Sequence, residues 1–442
     1  MKLKLHVVTA LLLMMCSLLR AQLPILGADS LQKRYTQKAK QWLDKDGSCA
    51  QLYTIDLFGF TMYASPEDKT AQRAEYRITW QELPTFQHML ASTSTGEAMQ
   101  IMQQKGGGPF SPELQKRFYI PAPVSSEFSP QAKLPLNGLR IALDPGHIAG
   151  DTTMGQIEQK FLKIKEWNGT DSVERFLVEG ILTWQTVVLL KTQLESSGAQ
   201  VLLTRQGPGL TAFGYPFEEW KQLHYRRSLD SLLVLDPANV NLKKLKSGKE
   251  QSDKFIFWHV FREIEMRRRA EIINAFHADL AVIIHYNVNE KNTDWKVLTA
   301  ANYNMCFIPG AFTAGELSTP ESRFHFMRLL FSDQMDASGK ASNWVLKSVV
   351  DKTAVPAAQK SNATYLEKSC VMYTPGVYCR NLGLTRLITA PLVYGETLYM
   401  DHIVEFNALQ YASVEEPSER VKTIAAAYYA GIVGWALHYH PN

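Results

Sequence analysis

The sequence has little net charge, little cysteine and few long apolar runs, and each shortage removes a class of function. Its 442 residues carry 47 basic and 43 acidic side chains, a net charge of +4. That excess is too small to argue for a nucleic-acid partner, which calls for a concentrated basic surface. It would tolerate an anionic cell-wall surface without requiring one. Only five cysteines occur. Cys49, Cys306, Cys370 and Cys379 are scattered with no Cys-x-x-Cys pair, which argues against a cysteine-based metal site. Their expected fate is disulfide or buried thiol, and the turn sequence Tyr373-Thr374-Pro375-Gly376 would bring Cys370 and Cys379 together. Beyond the first 21 residues no stretch approaches the about 20 apolar residues of a membrane helix, so the chain is not expected to span a membrane. Internal repeats and low-complexity tracts are also absent.

What is present begins with an export pattern. Lys2 and Lys4 precede an apolar run from Val7 to Leu19, and Ala21 offers a small residue for cleavage, so 1–21 reads as a signal peptide. The bulky Met14-Met15 before Cys16 argue against a lipid anchor there. The expected location is periplasmic or secreted. With 45% hydrophobic residues the remainder can bury a large core, divided between two domains. Residues 22–135 read as a small N-terminal α+β accessory domain and linker. Strand-like pieces lie at 51–57, 58–63 and 74–80, a Pro/Ser-rich linker runs from Pro121 to Pro135, and no catalytic constellation appears.

From 136 to 442 the pattern becomes strand–helix–strand. The strand Leu139–Leu143 is followed by a helix carrying Ile181, Val187, Val188, Leu190 and Leu194, which stops at Ser196-Ser197-Gly198. A strand over 199–204, a helix through Arg269 to Phe276, strands at 280–284 and 392–394, and a final helix from about Pro417 to Leu437 complete it. The expected fold is α/β, a mainly parallel twisted sheet flanked by helices. Two stretches, near 206–266 and 292–388, far exceed ordinary connections and are expected to form surface substructures.

Asp144-Pro145-Gly146-His147 ends the first of these strands in a Pro-Gly turn that delivers a histidine to the strand's carboxyl end, where ligands collect in open α/β sheets. His285 closes a second apolar strand. Two strand-end imidazoles with carboxylates at hand make a zinc site the leading reading. Glu158, Glu174 and Glu179 all follow His147 and compete as its carboxylate partner.

From Leu139 onward the chain resembles the zinc-dependent N-acetylmuramoyl-L-alanine amidases of the bacterial cell wall. The resemblance rests on an ordered set: Asp144-Pro145-Gly146-His147; Glu179 opening a helix that ends at Gly198 before Thr204-Arg205; Arg269 with Asn274, then Asp279; His285-Tyr286-Asn287; and Glu396 on a late buried strand. It implies a phosphorylase/hydrolase-like amidase domain in which His147, Glu179 and His285 bind one Zn²⁺ per chain. It further implies Glu396 as general base and acid, with Asp144 and Asn287 beside the ligands. The implied substrate is peptidoglycan, cut at the amide between N-acetylmuramic acid and L-alanine. The rival readings are a zinc peptidase or carboxypeptidase acting on wall peptides, and a degenerate amidase that binds without cutting. The resemblance also brings the expectation of control through a regulatory protein partner. Part of 290–390, with Glu316 or Glu321, is then expected to occlude the site.

Overall fold

The computed structural model describes residues 25–119, 134–167, 169–248 and 251–439. The signal segment 1–21 and almost all of the linker 121–135 lie outside the described residues. The chain packs as two units, Met1–Ser125 with Phe312–Ser332, and Ser126–Ala311 with Asp333–Asn442.

In the smaller unit, strands β1 (Tyr53–Ile55), β2 (Gly59–Met62) and β3 (Tyr76–Thr79) form an antiparallel meander. Alternate residues face inward: Phe60, Met62, Tyr76 and Ile78 are fully buried. The helices Ala28–Lys38, Leu83–Ser92 and Thr95–Lys105 surround it, the last capped by the Ser94 hydroxyl accepting from Glu97 N–H. A segment from far along the chain completes this core. The helix Pro320–Phe331 brings Phe331 against Tyr35, Phe60 and Phe86, with ring centroids 4.8, 5.6 and 5.8 Å apart. Its Arg323 pairs with Glu75. Aromatic edge-to-face contacts of this kind add to simple burial.

The larger unit holds β4 (Arg140–Pro145), the hairpin β5 (Phe161–Trp167) and β6 (Ser172–Val178), β7 (Gln200–Leu203), β8 (Leu280–Asn287), β9 (Met305–Ile308), β10 (Val371–Thr374), β11 (Val377–Cys379) and β12 (Leu392–Tyr399). Seven of these make one sheet in the order β10-β11-β9-β12-β8-β4-β7. The pairs among β12, β8, β4 and β7 are all parallel, as is β9 with β11, whereas β9–β12 and β10–β11 are antiparallel. The sheet is therefore mainly parallel but mixed. β8 is buried along nearly its whole length, as an unbroken Leu-Ala-Val-Ile-Ile run requires when helices cover both faces. Ala281 and Ile283 pack with Ala270 and Ile273 of the helix Arg262–Ala275. The helices Glu179–Ser196 and Gln334–Thr353 pack directly on the sheet, and Glu419–Tyr439 packs on both of them.

Two expectations change. The stretch 292–388 is no surface insertion: it supplies β9, β10 and β11 to the central sheet, as well as the Pro320–Phe331 helix of the smaller unit. Strands of three or four residues between Pro and Gly give too short a period-2 signal to read. The stretch 206–266 does form a helical substructure, with its own core of Phe217, Trp220, Leu229, Leu232, Phe257 and Phe261. The four cysteines are buried thiols. The Pro375-Gly376 turn does fold Cys370 toward Cys379. However, Val371 is the residue paired with Cys379, and this one-residue offset sends the two thiols to opposite faces of the sheet.

Phe331→Ala should lower stability by about 3–5 kcal/mol, the cost of deleting a fully packed aromatic. Urea denaturation of the full chain measures it.

Candidate metal centre

The turn after β4 is fixed through its carbonyls. Arg205 and Arg269 both donate to the Pro145 carbonyl, at 3.0 and 3.1 Å. The Thr183 hydroxyl donates to the Gly146 carbonyl at 2.6 Å, and Arg269 reaches the His147 carbonyl at 3.3 Å. So held, His147 takes φ +60°, a left-handed conformation unusual for a side-chain-bearing residue and common where a functional group must be aimed. Gly146 is required by close approach: a Cβ there would lie 2.4–2.6 Å from atoms of the His285 ring. Gly180 is required for the same reason, since its Cβ would meet the Ala149 carbonyl oxygen at 2.4 Å.

His285 on β8 and Glu396 on β12 are directly paired neighbours in the parallel register, beside the end of β4. Glu179 is the first residue of the helix Glu179–Ser196, where the helix dipole favours a carboxylate. Its Oε1 accepts from His285 Nδ1 at 3.0 Å and from Tyr286 N–H at 3.2 Å. Its Oε2 lies 3.2 Å from His147 Nε2 and 3.8 Å from Lys160 Nζ, yet is buried without a hydrogen-bond partner.

One ligand atom from each of His147, Glu179 and His285 falls within 4.8 Å of the others. Ligand bonds of about 2.0–2.1 Å in tetrahedral array put donors roughly 3.3 Å apart; Glu179 Oε2 lies 3.2 Å from His147 Nε2, and Oε1 lies 3.0 Å from His285 Nδ1. A buried carboxylate set between two imidazoles, with one oxygen orphaned beside His147, fits a cation, and three such donors leave a coordination position open.

The rival carboxylates have other work. Glu174 sits on the hairpin, paired with Lys163 at 2.7 Å and Lys165 at 3.5 Å. Glu158 is on the opposite edge of the His147 ring, 2.9 Å from Nδ1, and accepts Ala149 and Ile148 N–H. It therefore fixes the imidazole's tautomer and leaves Nε2 facing Glu179. Tyr394 does the corresponding job for His285: its hydroxyl is 2.9 Å from Nε2 and the rings stack 4.8 Å apart. Asp144 and Asn287, expected beside the imidazoles, bond to neither. Asp144 accepts from Thr204 and faces Arg269 at 3.4 Å, while Asn287 donates to the Tyr365 hydroxyl at 3.1 Å. Arg269 thus braces the turn, and Asn274 and Asp279 brace neighbouring backbone at Leu387 and Arg140.

The charges in this site are coupled. Burial opposes a charge on His147, but Glu179 and Glu158 outweigh it and raise its pKa to about 9. Burial would likewise push Glu179 and Glu158 up; His147 chiefly holds both down, helped at Glu179 by Lys160. Glu396 goes the other way, raised by burial and by Glu179 against the pull of His285, Lys160 and Arg380.

A cavity of about 650 Å³ opens on the cluster, with Asn287, Glu396, Trp258, Trp295 and Arg380 in its walls. Sequence reading missed Tyr394, which precedes Glu396 by two residues and so shares its strand face, a usable signal. It offered Glu158 only as a rival ligand, and its place on His147 Nδ1 was not read. Glu316 and Glu321 line no part of this cavity. Glu316 accepts from Thr313 N–H and hydroxyl, closing its own helix cap within the smaller unit.

Residues 141–433 match the family described as N-acetylmuramoyl-L-alanine amidase. Among solved structures the chain is similar to the N-acetylmuramyl-L-alanine amidase Ami1 from Mycobacterium abscessus, at 15% identity over 68% of this chain and 99% of that one, with a TM-score of 0.36. Ami1 from Mycobacterium smegmatis gives 14% identity, 68% and 98% coverage, and a TM-score of 0.38. The CwlD amidase from Clostridioides difficile, solved in complex with the GerS lipoprotein, gives 17%, 67%, 98% and 0.36. No curated protein matches the chain in sequence.

Two outcomes are expected. His147 must lose its proton to bind a metal. With its pKa at about 9, the zinc affinity of chelated protein should climb about tenfold per pH unit from pH 6 to 8 and level off near pH 9. Competition with a chromophoric chelator reads this. Gly146→Ala should leave the fold intact, by circular dichroism, while weakening zinc binding at least about 10-fold, because the new methyl displaces the His285 ring.

Proposed function

The chain belongs to the N-acetylmuramoyl-L-alanine amidase family, and from that premise we propose that it cuts peptidoglycan with a zinc ion held by His147, Glu179 and His285. The observation that carries this reading is the buried Glu179 carboxylate between two imidazoles, one oxygen on His285 and the other beside His147 without a hydrogen bond. When bound, zinc supplies Lewis acidity toward the scissile carbonyl and the attacking water.

The chain's own groups do the rest. Glu158 and Tyr394 hold the two imidazoles in orientation. Glu396 faces the same cavity and forms no ion pair among the described residues. A carboxylate so placed accepts a proton from the water that adds to the lactyl carbonyl carbon. It then passes that proton to the alanine nitrogen as the carbon–nitrogen bond breaks, leaving a muramic acid carboxyl group and a free peptide amine. Its raised pKa suits both halves of that exchange, since a pKa moved toward the working pH strengthens the base while leaving its protonated form available to donate.

The proposed place of action is the periplasm or the exterior, consistent with the export pattern of 1–21; no helix of the described residues is long and apolar enough to cross a membrane.

Digesting purified peptidoglycan and weighing the fragments tests the reading. Free L-alanine amino termini with intact glycan strands are expected, whereas cuts between amino acids would mark a peptidase instead. Glu396→Gln should keep its zinc and lose about 10²–10⁴-fold in kcat. The acid limb of the parent's kcat profile should lie above the pH of an ordinary glutamate and be absent from the residual activity of the variant.

A further inference from the structure

Among the described cations that line the cavity, Arg262 and Arg380 form no ion pair, and of these Arg262 is exposed whereas Arg380 is half-buried. The guanidinium lies over the Phe307 ring at 4.9 Å and over the Tyr365 ring at 4.8 Å. Tyr365 is itself tied to Asn287 and to Met305. Among the described residues Arg380 forms no ion pair, although acidic side chains are plentiful in the cavity: Glu158, Glu179, Glu265, Glu290 and Glu396 all line it. Glu158, Glu179 and Glu265 are engaged with His147, the His147–His285 pair and Arg269 respectively, and Glu290 accepts from Thr364. The two rings meet at 61° with centroids 6.4 Å apart, so the guanidinium sits in the corner they form; a cation held on two rings loses little freedom on binding, and its fork of N–H donors suits a carboxylate. Next to it Asn381 lines the same cavity; its oxygen accepts from Arg386 at 2.9 Å, which leaves its amide N–H groups as the donors it can offer a ligand.

The position of Arg380 also says which end of a substrate it meets. Arg380 rests on Phe307, whose ring is 6.1 Å from that of Tyr394, two residues from Glu396 on the paired strand, and Glu396 is the group that hands a proton to the departing alanine nitrogen. Arg380 therefore lies on the peptide side of the scissile bond. The nearest anion a wall peptide offers there is on the residue after alanine, which is joined through its side-chain carboxyl and keeps its α-carboxyl free. We propose that Arg380, helped by Asn381, binds this α-carboxylate and makes the enzyme prefer stem peptides whose second residue is an acid over those in which it is an amide. The inference rests on the proposed amidase reading.

Two muramoyl dipeptides, one ending in γ-linked D-glutamic acid and one in its α-carboxamide, provide the test. The zinc-loaded parent should cleave the acid with kcat/KM about 10–100-fold higher, the range of a charged hydrogen bond, with the difference in KM. In Arg380→Gln that ratio should fall to near one, and Arg380→Lys, which keeps the charge without the planar fork, should retain part of it. A parent ratio near one, or a ratio unchanged in Arg380→Gln, overturns the proposal while leaving the amidase reading intact. If the parent cleaves neither compound, the amidase reading fails, and calorimetry with the free dipeptides L-alanyl-γ-D-glutamic acid and its amide decides this one. Tighter binding of the acid by the parent and not by Arg380→Gln supports it; equal binding overturns it. Should Arg380→Gln not fold, Arg380→Lys is judged on the same ratios.

Discussion

A carboxylate with 1% exposure, set between two imidazoles, is the constraint on which the rest of the larger unit depends. Burying an ionised carboxylate is costly unless its oxygens are paired. Here one oxygen of Glu179 is satisfied by His285 and by a backbone N–H, and the other is not. The protein offsets the charge with a helix N-terminus, with Lys160, and with a protonated His147. Each of these is an arrangement that a divalent cation could replace. A proton on His147 and a cation held by the same three residues would therefore exclude one another.

Around this centre, charge is neutralised in layers. Asp144 and Glu265 face Arg269, and Glu158 faces His147. Those pairs do little for stability on balance, because desolvation cancels much of the attraction. Their value is positional. Arg205 and Arg269 converge on the Pro145 carbonyl, fixing a turn that puts one histidine at positive φ and leaves a glycine-wide gap for the other. The parallel pairing of β8 with β12 then sets Glu396 beside His285 without any contact between their side chains being needed.

The open side of the cavity has a different character. Its aromatic walls carry cations on their faces: Lys160 over Trp295, Arg262 over Trp258, Arg380 over Phe307 and Tyr365. Much of this wall comes from the two long stretches that interrupt the sheet pattern. The stretch that carries Phe307, Tyr365 and Arg380 also gives β9 and β11 to the central sheet, with Met305 paired to Glu396, so this wall is built on the scaffold that holds the reacting groups.

The strands β4, β8 and β12 and the helix opening at Glu179 were legible because each is long, apolar and strongly periodic, and because the residues at their ends form an ordered motif. The two histidines were legible for the same reason, as the ends of such strands. The residues themselves left Glu158, Glu174 and Glu179 open, and the family resemblance implied Glu179 and Glu396. What the sequence alone did not determine depends on chain segments distant along it. Glu158 reaches His147 only because the loop after the turn folds back, and Asp144 turns away from the imidazoles because a buried arginine 125 residues later claims it. Residues 312–332 fill the core of the smaller unit, and Cys370 and Cys379 face apart because of a one-residue register. In each case the deciding contact is a buried polar or packing demand that has no local signature, and only the folded chain brings its two sides together.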